Sequence, residues 1–341
     1  MNHRERVRSA LNHSQPDRVP MDIGGIASTI IDSAYYELKD HLEVTATDDV
    51  VWEDWAVAAR ISGGVLEALG ADFRHLRMQP PDNWEPKMFD DGSWTNEWGT
   101  VFKRVGDYAE MIDFPLEEVD DLEKIHQHSW PDPYAPGRTR GLKEHAEELY
   151  ENTNYALATF DIARLFEWAQ WVRGMDTFLK DMVARPEFAE VILDKVLEVQ
   201  IGLMDVYLDA VGDYIEVVWT GDDLGTQKRT LISPNMYREY LKPRHTKLFN
   251  FIKSKTSAKV AFHTDGNVFP LLDDLVEAGI DVLNPVQPLA KNMDHSLIKK
   301  RYGDQLSFWG GVDVQSVLPR GTPEDVEKEV KRVLGELGTN G

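Results

Sequence analysis

No cysteine occurs anywhere in the 341 residues. That absence excludes disulfides, thiolate nucleophiles, iron–sulfur clusters and every zinc site with sulfur ligands. Long apolar runs are missing too: nothing approaches the roughly 18 residues a membrane-spanning helix needs. The opening, Met1-Asn2-His3-Arg4-Glu5-Arg6, is charged and has none of the apolar stretch of a secretory signal, so a cytoplasmic protein is expected. Positive charge is scarce. Lys and Arg number 37 against 59 Asp and Glu, a net charge of −22. A duplex-binding protein needs a basic face to displace counterions, and an anionic membrane would repel this chain. The expected partners are a small molecule or another protein, with no nucleic acid and no membrane.

What is present is a globular composition. Hydrophobic residues make up 42% and aromatic residues 10%, enough for a sizeable core and against a disordered or fibrous chain. A unit recurs along the chain: a short apolar run, a loop rich in Gly and Asp, then an amphipathic helix. Seven runs read as strands: Arg18–Gly25, Ala71–Met78, Ala156–Asp161, Tyr214–Trp219, Lys259–His263, Ile280–Pro285 and Leu306–Gly311. Ser233-Pro234 and Thr322-Pro323 each set a capping residue before a proline at the first helical position. Pro243 is expected to kink the helix that starts at Ser233. Such alternation predicts an α/β fold, a (β/α)8 TIM barrel with one strand unaccounted for. A doubly wound sheet is the second choice, and Gly24-Gly25 falls short of its phosphate loop. Residues 80–137, with Pro80-Pro81, Trp84, Trp94, Trp98 and Trp130, break the pattern and read as a small β-rich insertion near the barrel mouth. The whole chain, 1–341, is expected to be one domain.

Six of the seven expected strands end in polar residues. Asp22 ends the first, Asp161 the third, Asp222 and Asp223 the fourth, His263 and Asp265 the fifth, Asn284 and Gln287 the sixth, with Asp313 just past the seventh. In a parallel barrel these ends share one face around one cavity, where barrel enzymes place their chemistry. The plainer explanation is that Asp and Asn favour turns and caps. His263-Thr264-Asp265-Gly266 is the sharpest element. An imidazole closing an apolar strand, with a carboxylate two positions on, can present both to one metal. Alternatively His263 is a general base, or Asp265 caps the helix that follows. Asp222-Asp223 can raise each other's pKa or bind a cation. Phe160, Trp168 and Trp219 lie at or after strand ends and are candidates to line a pocket for an aromatic ligand, or are ordinary core residues.

Several segments resemble the uroporphyrinogen decarboxylase-like superfamily, over nearly the whole chain. They are Arg4-Glu5-Arg6, Ala10-Leu11-Asn12-His13, Pro16-Asp17-Arg18-Val19-Pro20, His263-Thr264-Asp265-Gly266, Val282 through Pro288 and Trp309-Gly310-Gly311-Val312-Asp313. Within it, the corrinoid-dependent methyltransferase branch is the better likeness. The resemblance implies a (β/α)8 barrel and an enzyme. The haem-pathway decarboxylase opens with an arginine-rich clamp for porphyrinogen carboxylates, where this chain has Met21-Asp22-Ile23-Gly24-Gly25. In the methyltransferase branch a zinc ion is commonly held by a His-x-Cys pair and a distant cysteine. The resemblance makes His263 the first ligand, with Asp265 standing where a cysteine would be. Relatives also continue into one more strand where this sequence reads Leu337-Gly338-Thr339-Asn340-Gly341, so the eighth strand is expected to be missing and the open edge to favour a homodimer.

The resulting expectation is a methyltransferase passing a methyl group from a small methylated compound, a methoxylated aromatic by choice, to a corrinoid on a separate carrier protein. His263 and Asp265 would hold zinc through nitrogen and oxygen. Asp22, Asp222, Asp223 and Asp313 would supply electrostatics or proton transfer, and Phe160, Trp168, Trp219, Asn284 and Gln287 would bind substrate. The alternatives are porphyrinogen decarboxylation and a catalytically silent barrel that only binds.

Overall fold

The computed structural model describes residues 1–45, 51–53, 57–160 and 163–339. Asp161, expected at the end of the third strand, lies outside the described residues. The core of the molecule is a parallel sheet of six strands lying side by side in sequence order. They are β1 (Phe73–Leu76), β2 (Ala156–Thr159), β3 (Val217–Gly221), β4 (Lys259–His263), β5 (Val282–Asn284) and β6 (Ser307–Phe308).

Helices cover the outer face, except the first, which lies across the N-terminal ends of the strands. The principal ones are α1 (His3–Leu11), α2 (Phe166–Arg173), α3 (Pro186–Val211), α4 (Lys242–Lys255), α5 (Leu272–Ala278), α6 (His295–Tyr302) and α7 (Pro323–Leu337). Strand alternation sorts the side chains. Leu76, Leu157, Val218, Val260, Phe262 and Leu283 face outward into the core shared with the helices. Phe73, Ala156, Ala158, Val217, Trp219, Ala261 and Val282 face inward, with Val7 and Leu11 of α1 packed among them. Proline opens α3 and α7 where its missing N–H is harmless, and Thr322 with Asp325 makes a capping box. No helix among the described residues is long and apolar enough to cross a membrane.

The sheet curls. β1 and β6 are its opposite edges, yet the rings of Phe73 and Trp309 lie 4.6 Å apart. No strand ladder joins the two edges among the described residues. Instead α1 spans the gap at the N-terminal ends of the strands, held by Arg4 to the carbonyls of Tyr155 (3.0 Å) and Tyr150 (3.0 Å).

Three expectations need correction. Arg18–Gly25 is not a ladder strand. It runs beside β1 through one backbone bond, Asp72 N–H to Met21 C=O (2.8 Å). Pro20 has no N–H to offer, and the Met21 N–H is taken by the Asp72 carboxylate (2.7 Å), so no second rung forms. The strand expected at Tyr214–Trp219 begins later, at Val217, because Tyr214 still belongs to the turn that ends α3, its N–H on the Val211 carbonyl (2.9 Å). The kink at Pro243 takes the form of a π-helical turn, Tyr237–Leu241, which separates the short helix Pro234–Met236 from α4. After β6 the chain passes through Val317–Arg320 into α7, and the described residues contain no strand beyond β6.

The insertion is a small antiparallel sheet of Trp94–Thr95, Val101–Val105 and Tyr108–Asp113. It is pinned to the helical layer by Trp98, stacked on Trp168 of α2 at 4.4 Å.

Candidate active site

The site is assembled where the loops after β3 and β4 meet. Two glycines bring their backbones together. A Cβ on Gly225 would lie 2.7 Å from the Asp265 carbonyl oxygen, and one on Gly266 2.6 Å from the Gly225 carbonyl carbon. Gly266 also has φ +79°, a conformation other residues adopt only at a cost.

His263 ends β4 on the inner face, opposite Asn284 in the ladder. Its Nδ1 is 2.6 Å from Asn284 Oδ1, and Asn284 Nδ2 donates to the Trp309 carbonyl (2.8 Å). Since that amide nitrogen must face a carbonyl, Oδ1 faces the ring, and Nδ1–H is the donor. In the neutral ring the lone pair is then on Nε2. This is the tautomer a metal-binding histidine needs, fixed by its outer partner. Nε2 lies 3.9 Å from Asp223 Oδ1, and that oxygen accepts from the Asp265 N–H (2.9 Å). Asp223, His263 and Asp265 each place one ligand atom within 4.8 Å of the others. Burial and the neighbouring Asp223 charge push the Asp265 carboxyl above its ordinary range. Gln287 accepts from the Gly266 N–H (3.0 Å) and from Gln227 Nε2 (3.0 Å), closing the loop over Asp265.

A third acidic group lies near these two carboxylates, one that the strand-end pattern does not single out. Glu167, at the start of α2, is pushed up to about 8 by burial, with Asp222 and Asp223 adding to the effect and Arg164 opposing it. Arg164 Nε is 2.8 Å from its Oε2, in a contact too bent for a good hydrogen bond. A sequence signal for it exists: Arg164 and Glu167 form an i, i+3 charge pair inside a strongly apolar stretch.

Asp222 is adjacent to Asp223 but faces away from it. Its oxygens accept from the N–H of Leu165 (3.1 Å) and Glu167 (2.9 Å) and lie 2.8 Å from His245 Nε2, whose Nδ1 is 3.1 Å from the Tyr237 hydroxyl. This fully buried chain clamps the start of α2 and so places Glu167. Asp313 is likewise engaged in its own turn, accepting from the N–H of Gln315 (2.8 Å) and Ser316 (3.0 Å) and from the Ser316 hydroxyl. Of the aromatic candidates, Phe160 and Trp219 belong to the inner-face cluster, while Trp168 holds the insertion. Asn284 and Gln287 act on His263 and on the Gly266 turn. Asp22 lies near the start of the sheet, against His75, apart from the three clustered ligands.

Comparison with known proteins places this architecture. The family model described as uroporphyrinogen decarboxylase (URO-D) matches residues 112–341. The chain belongs to the uroporphyrinogen decarboxylase family. A uroporphyrinogen decarboxylase of Trichlorobacter lovleyi is 23% identical over 235 residues, 66% of this chain; the match spans 63% of the relative's length. Among solved structures, a methyltransferase from Methanosarcina mazei superposes over 98% of this chain and 90% of its own, with a TM-score of 0.66 and 18% identity. At that identity the likeness is one of fold. In this member of the uroporphyrinogen decarboxylase family, the polar groups that converge do so at the C-terminal ends of β3, β4 and β5, the face where barrel folds carry their chemistry.

Proposed function

We propose that the chain is a methyltransferase that removes a methyl group from a small methoxylated aromatic compound and delivers it to a corrinoid held by a separate carrier protein. The observation that carries this reading is the Asp223–His263–Asp265 cluster. It has a histidine locked in the metal-ready tautomer by Asn284. The donor set fits a divalent ion. One imidazole nitrogen and two carboxylates suit zinc or a harder cation, and a positive charge would relieve the repulsion that raises Asp265. A metal held there would act as a Lewis acid on the ether oxygen and improve it as a leaving group.

The chain's own residues do the rest. Asn284 fixes the His263 ring. Asp222 positions the start of α2, and through it Glu167. Glu167 keeps its proton up to about pH 8 and can hand it to the oxygen that loses the methyl group. The fold likeness to a methyltransferase supports this assignment. So does Met21-Asp22-Ile23-Gly24-Gly25, a stretch with no arginine to clamp a polycarboxylated ring. The curated relative supports a second reading, decarboxylation of a porphyrinogen.

The test is an absorbance assay for conversion of a Co(I) corrinoid to its methyl-Co(III) form across a panel of methoxylated aromatics, run beside incubation with uroporphyrinogen. Methyl transfer that disappears in His263→Ala, together with loss of bound zinc, is the expected result. Decarboxylated porphyrin products without methyl transfer would establish the second reading instead, and binding without turnover would mark a silent barrel.

A further inference from the structure

Ala163 and Leu165 both pack into the outer core, and Ala163 still pairs with β3, donating to the Trp219 carbonyl (3.2 Å) and accepting from the Gly221 N–H (3.0 Å). Arg164, between them, turns the other way and meets Glu167. The Leu165 N–H on Asp222 (3.1 Å) fixes the backbone next to it. The guanidinium is thus held at the C-terminal end of β3, on the side of the Asp223–His263–Asp265 cluster. Solvent reaches this place: the side chains of Asp223 and His263 are 40% and 23% exposed, that of Arg164 10%.

A buried cation is costly unless an anion meets it with good geometry. Arg164 is nine-tenths buried, and among the described residues its guanidinium meets one acidic group, Glu167. That contact fails as a hydrogen bond on both sides, because Arg164 Nε and Glu167 Oε2 are each buried without a partner. Glu167 is also a poor counter-ion: burial pushes it up to about 8, so it is mostly protonated near neutral pH. Asp222 is committed to His245 and to the N–H groups of Leu165 and Glu167. Asp223 and Asp265 would be matched by a divalent ion. Arg164 is then the spare cation of the site. Its other neighbour is flat, the Trp171 ring, whose centre lies 5.8 Å from the guanidinium and which meets Trp168 at 4.7 Å.

We propose that Arg164 binds a carboxylate carried by the substrate, so that the methyl donor is a methoxylated aromatic acid. The planar fork of a guanidinium matches the two oxygens of a carboxylate. One guanidinium among several acidic groups suits a single carboxylate, whereas a phosphate dianion or a polycarboxylated ring would need more cations. Holding the ring by its acid group leaves the Asp223–His263–Asp265 cluster for the ether oxygen. The inference rests on the aromatic-donor reading proposed above and adds the anionic group to that donor.

Calorimetric titration of the zinc-supplemented protein with benzoate and with benzamide, its uncharged isostere, tests it. Benzoate is expected to bind saturably and about tenfold tighter than benzamide or better. Arg164→Met removes the charge and should bind both probes at the benzamide affinity of the wild type, with circular dichroism and zinc uptake unchanged. Arg164→Lys guards against misfolding of that variant. It keeps the charge without the fork and should cut the preference to about threefold. Equal affinity for the two probes in the wild type, binding of neither, or a preference undiminished in the variants that fold overturns the proposal. If a preference that depends on Arg164 is found while no methoxybenzoate is demethylated, the carboxylate site stands and the methyltransferase reading falls. Demethylation of methoxylated aromatics with no preference for the acid does the reverse.

Discussion

The two ends of the parallel sheet use the same residue types to opposite effect. At the N-terminal ends three buried or half-buried carboxylates are matched by cations. Asp72 meets Arg6 at 2.6 Å, Arg18 at 2.7 Å, His3 at 2.7 Å and the Met21 N–H at 2.7 Å. Glu216 has Arg8 at 2.9 Å and the Leu157 N–H at 2.7 Å, and Asp281 has Lys253 at 3.0 Å and the Val260 N–H at 2.9 Å. At the C-terminal ends, Asp223 and Asp265 pair with no lysine or arginine among the described residues, and His263 turns Nε2 toward Asp223 (3.9 Å). The number of acidic residues does not distinguish the two ends. Counter-charge does. One end is closed by its own cations and stabilises the fold, while the other is left short of positive charge.

The largest effect is expected at the closed end. Asp72→Ala leaves the Arg6 guanidinium, 8% exposed, without its buried partner. Removing one member of a buried ion pair costs about 3–5 kcal/mol. Urea unfolding at pH 7 should show a loss of that size. Although burial alone would raise Asp72, the bonds from Met21, Arg18, His3 and Arg6 together hold it below its ordinary value. Its contribution is therefore present above the unfolded value of about 3.9 and is lost as pH falls through the native one. The gap between variant and wild type should narrow toward pH 2. A gap under about 1 kcal/mol at pH 7, or one that does not change with pH, would mean that counter-charge does not hold this end together.

Glu167 gives the opposite sign at the open end. Its native value, about 8, exceeds the ordinary 4.5. Between those two values the native state binds more protons than the unfolded chain, so stability falls as pH rises through that window. Glu167→Gln cannot ionise and escapes that loss. In chelator-treated protein the variant should match the wild type near pH 4, gain on it steadily up to about pH 8 and level off above that. Within the window the gain cannot exceed about 1.4 kcal/mol for each pH step of one. It is expected to reach a few kcal/mol in total, given that the side chain is 16% exposed. Parallel pH–stability curves for the two proteins would remove Glu167 as a proton donor.

How much of this could be read from the residues follows the range of the interactions. Lys259–His263 is a run of strand-formers closed by a polar residue, and it is β4 without adjustment. Asp223, His263 and Asp265 were legible as a group because each follows a strand, and parallel strands bring their ends to one face. The first strand was not legible, since what removes it is a carboxylate far along the chain, Asp72, capturing the Met21 N–H. His75 sits on the strand face shared with Phe73, so alternation alone could have turned it inward. Its meeting with Asp22 depends on the curl of the whole sheet. Asp222 and Asp223 are neighbours in sequence with separate tasks, and only the partners brought by α2 and α4 tell them apart.

The smallest effect is the most discriminating. Asn284 touches no substrate in the proposed chemistry, yet it alone dictates which nitrogen of His263 is free. Outer partners of metal-binding histidines are typically worth about 10–100-fold in metal affinity. Asn284→Ala should weaken zinc binding by that factor, about 1.4–2.7 kcal/mol, measured by competition against a chromogenic chelator. Asn284→Asp keeps an acceptor at the ring and adds a charge, so it should restore affinity, whereas His263→Ala should abolish it. At the other end of the sheet, a milder variant that folds, Arg18→Ala, should leave zinc affinity unchanged while lowering stability. If Asn284→Ala binds zinc as the wild type does, the orientation of His263 serves the Trp309 backbone and not a cation. The open end would then be an acidic rim with no ion to collect.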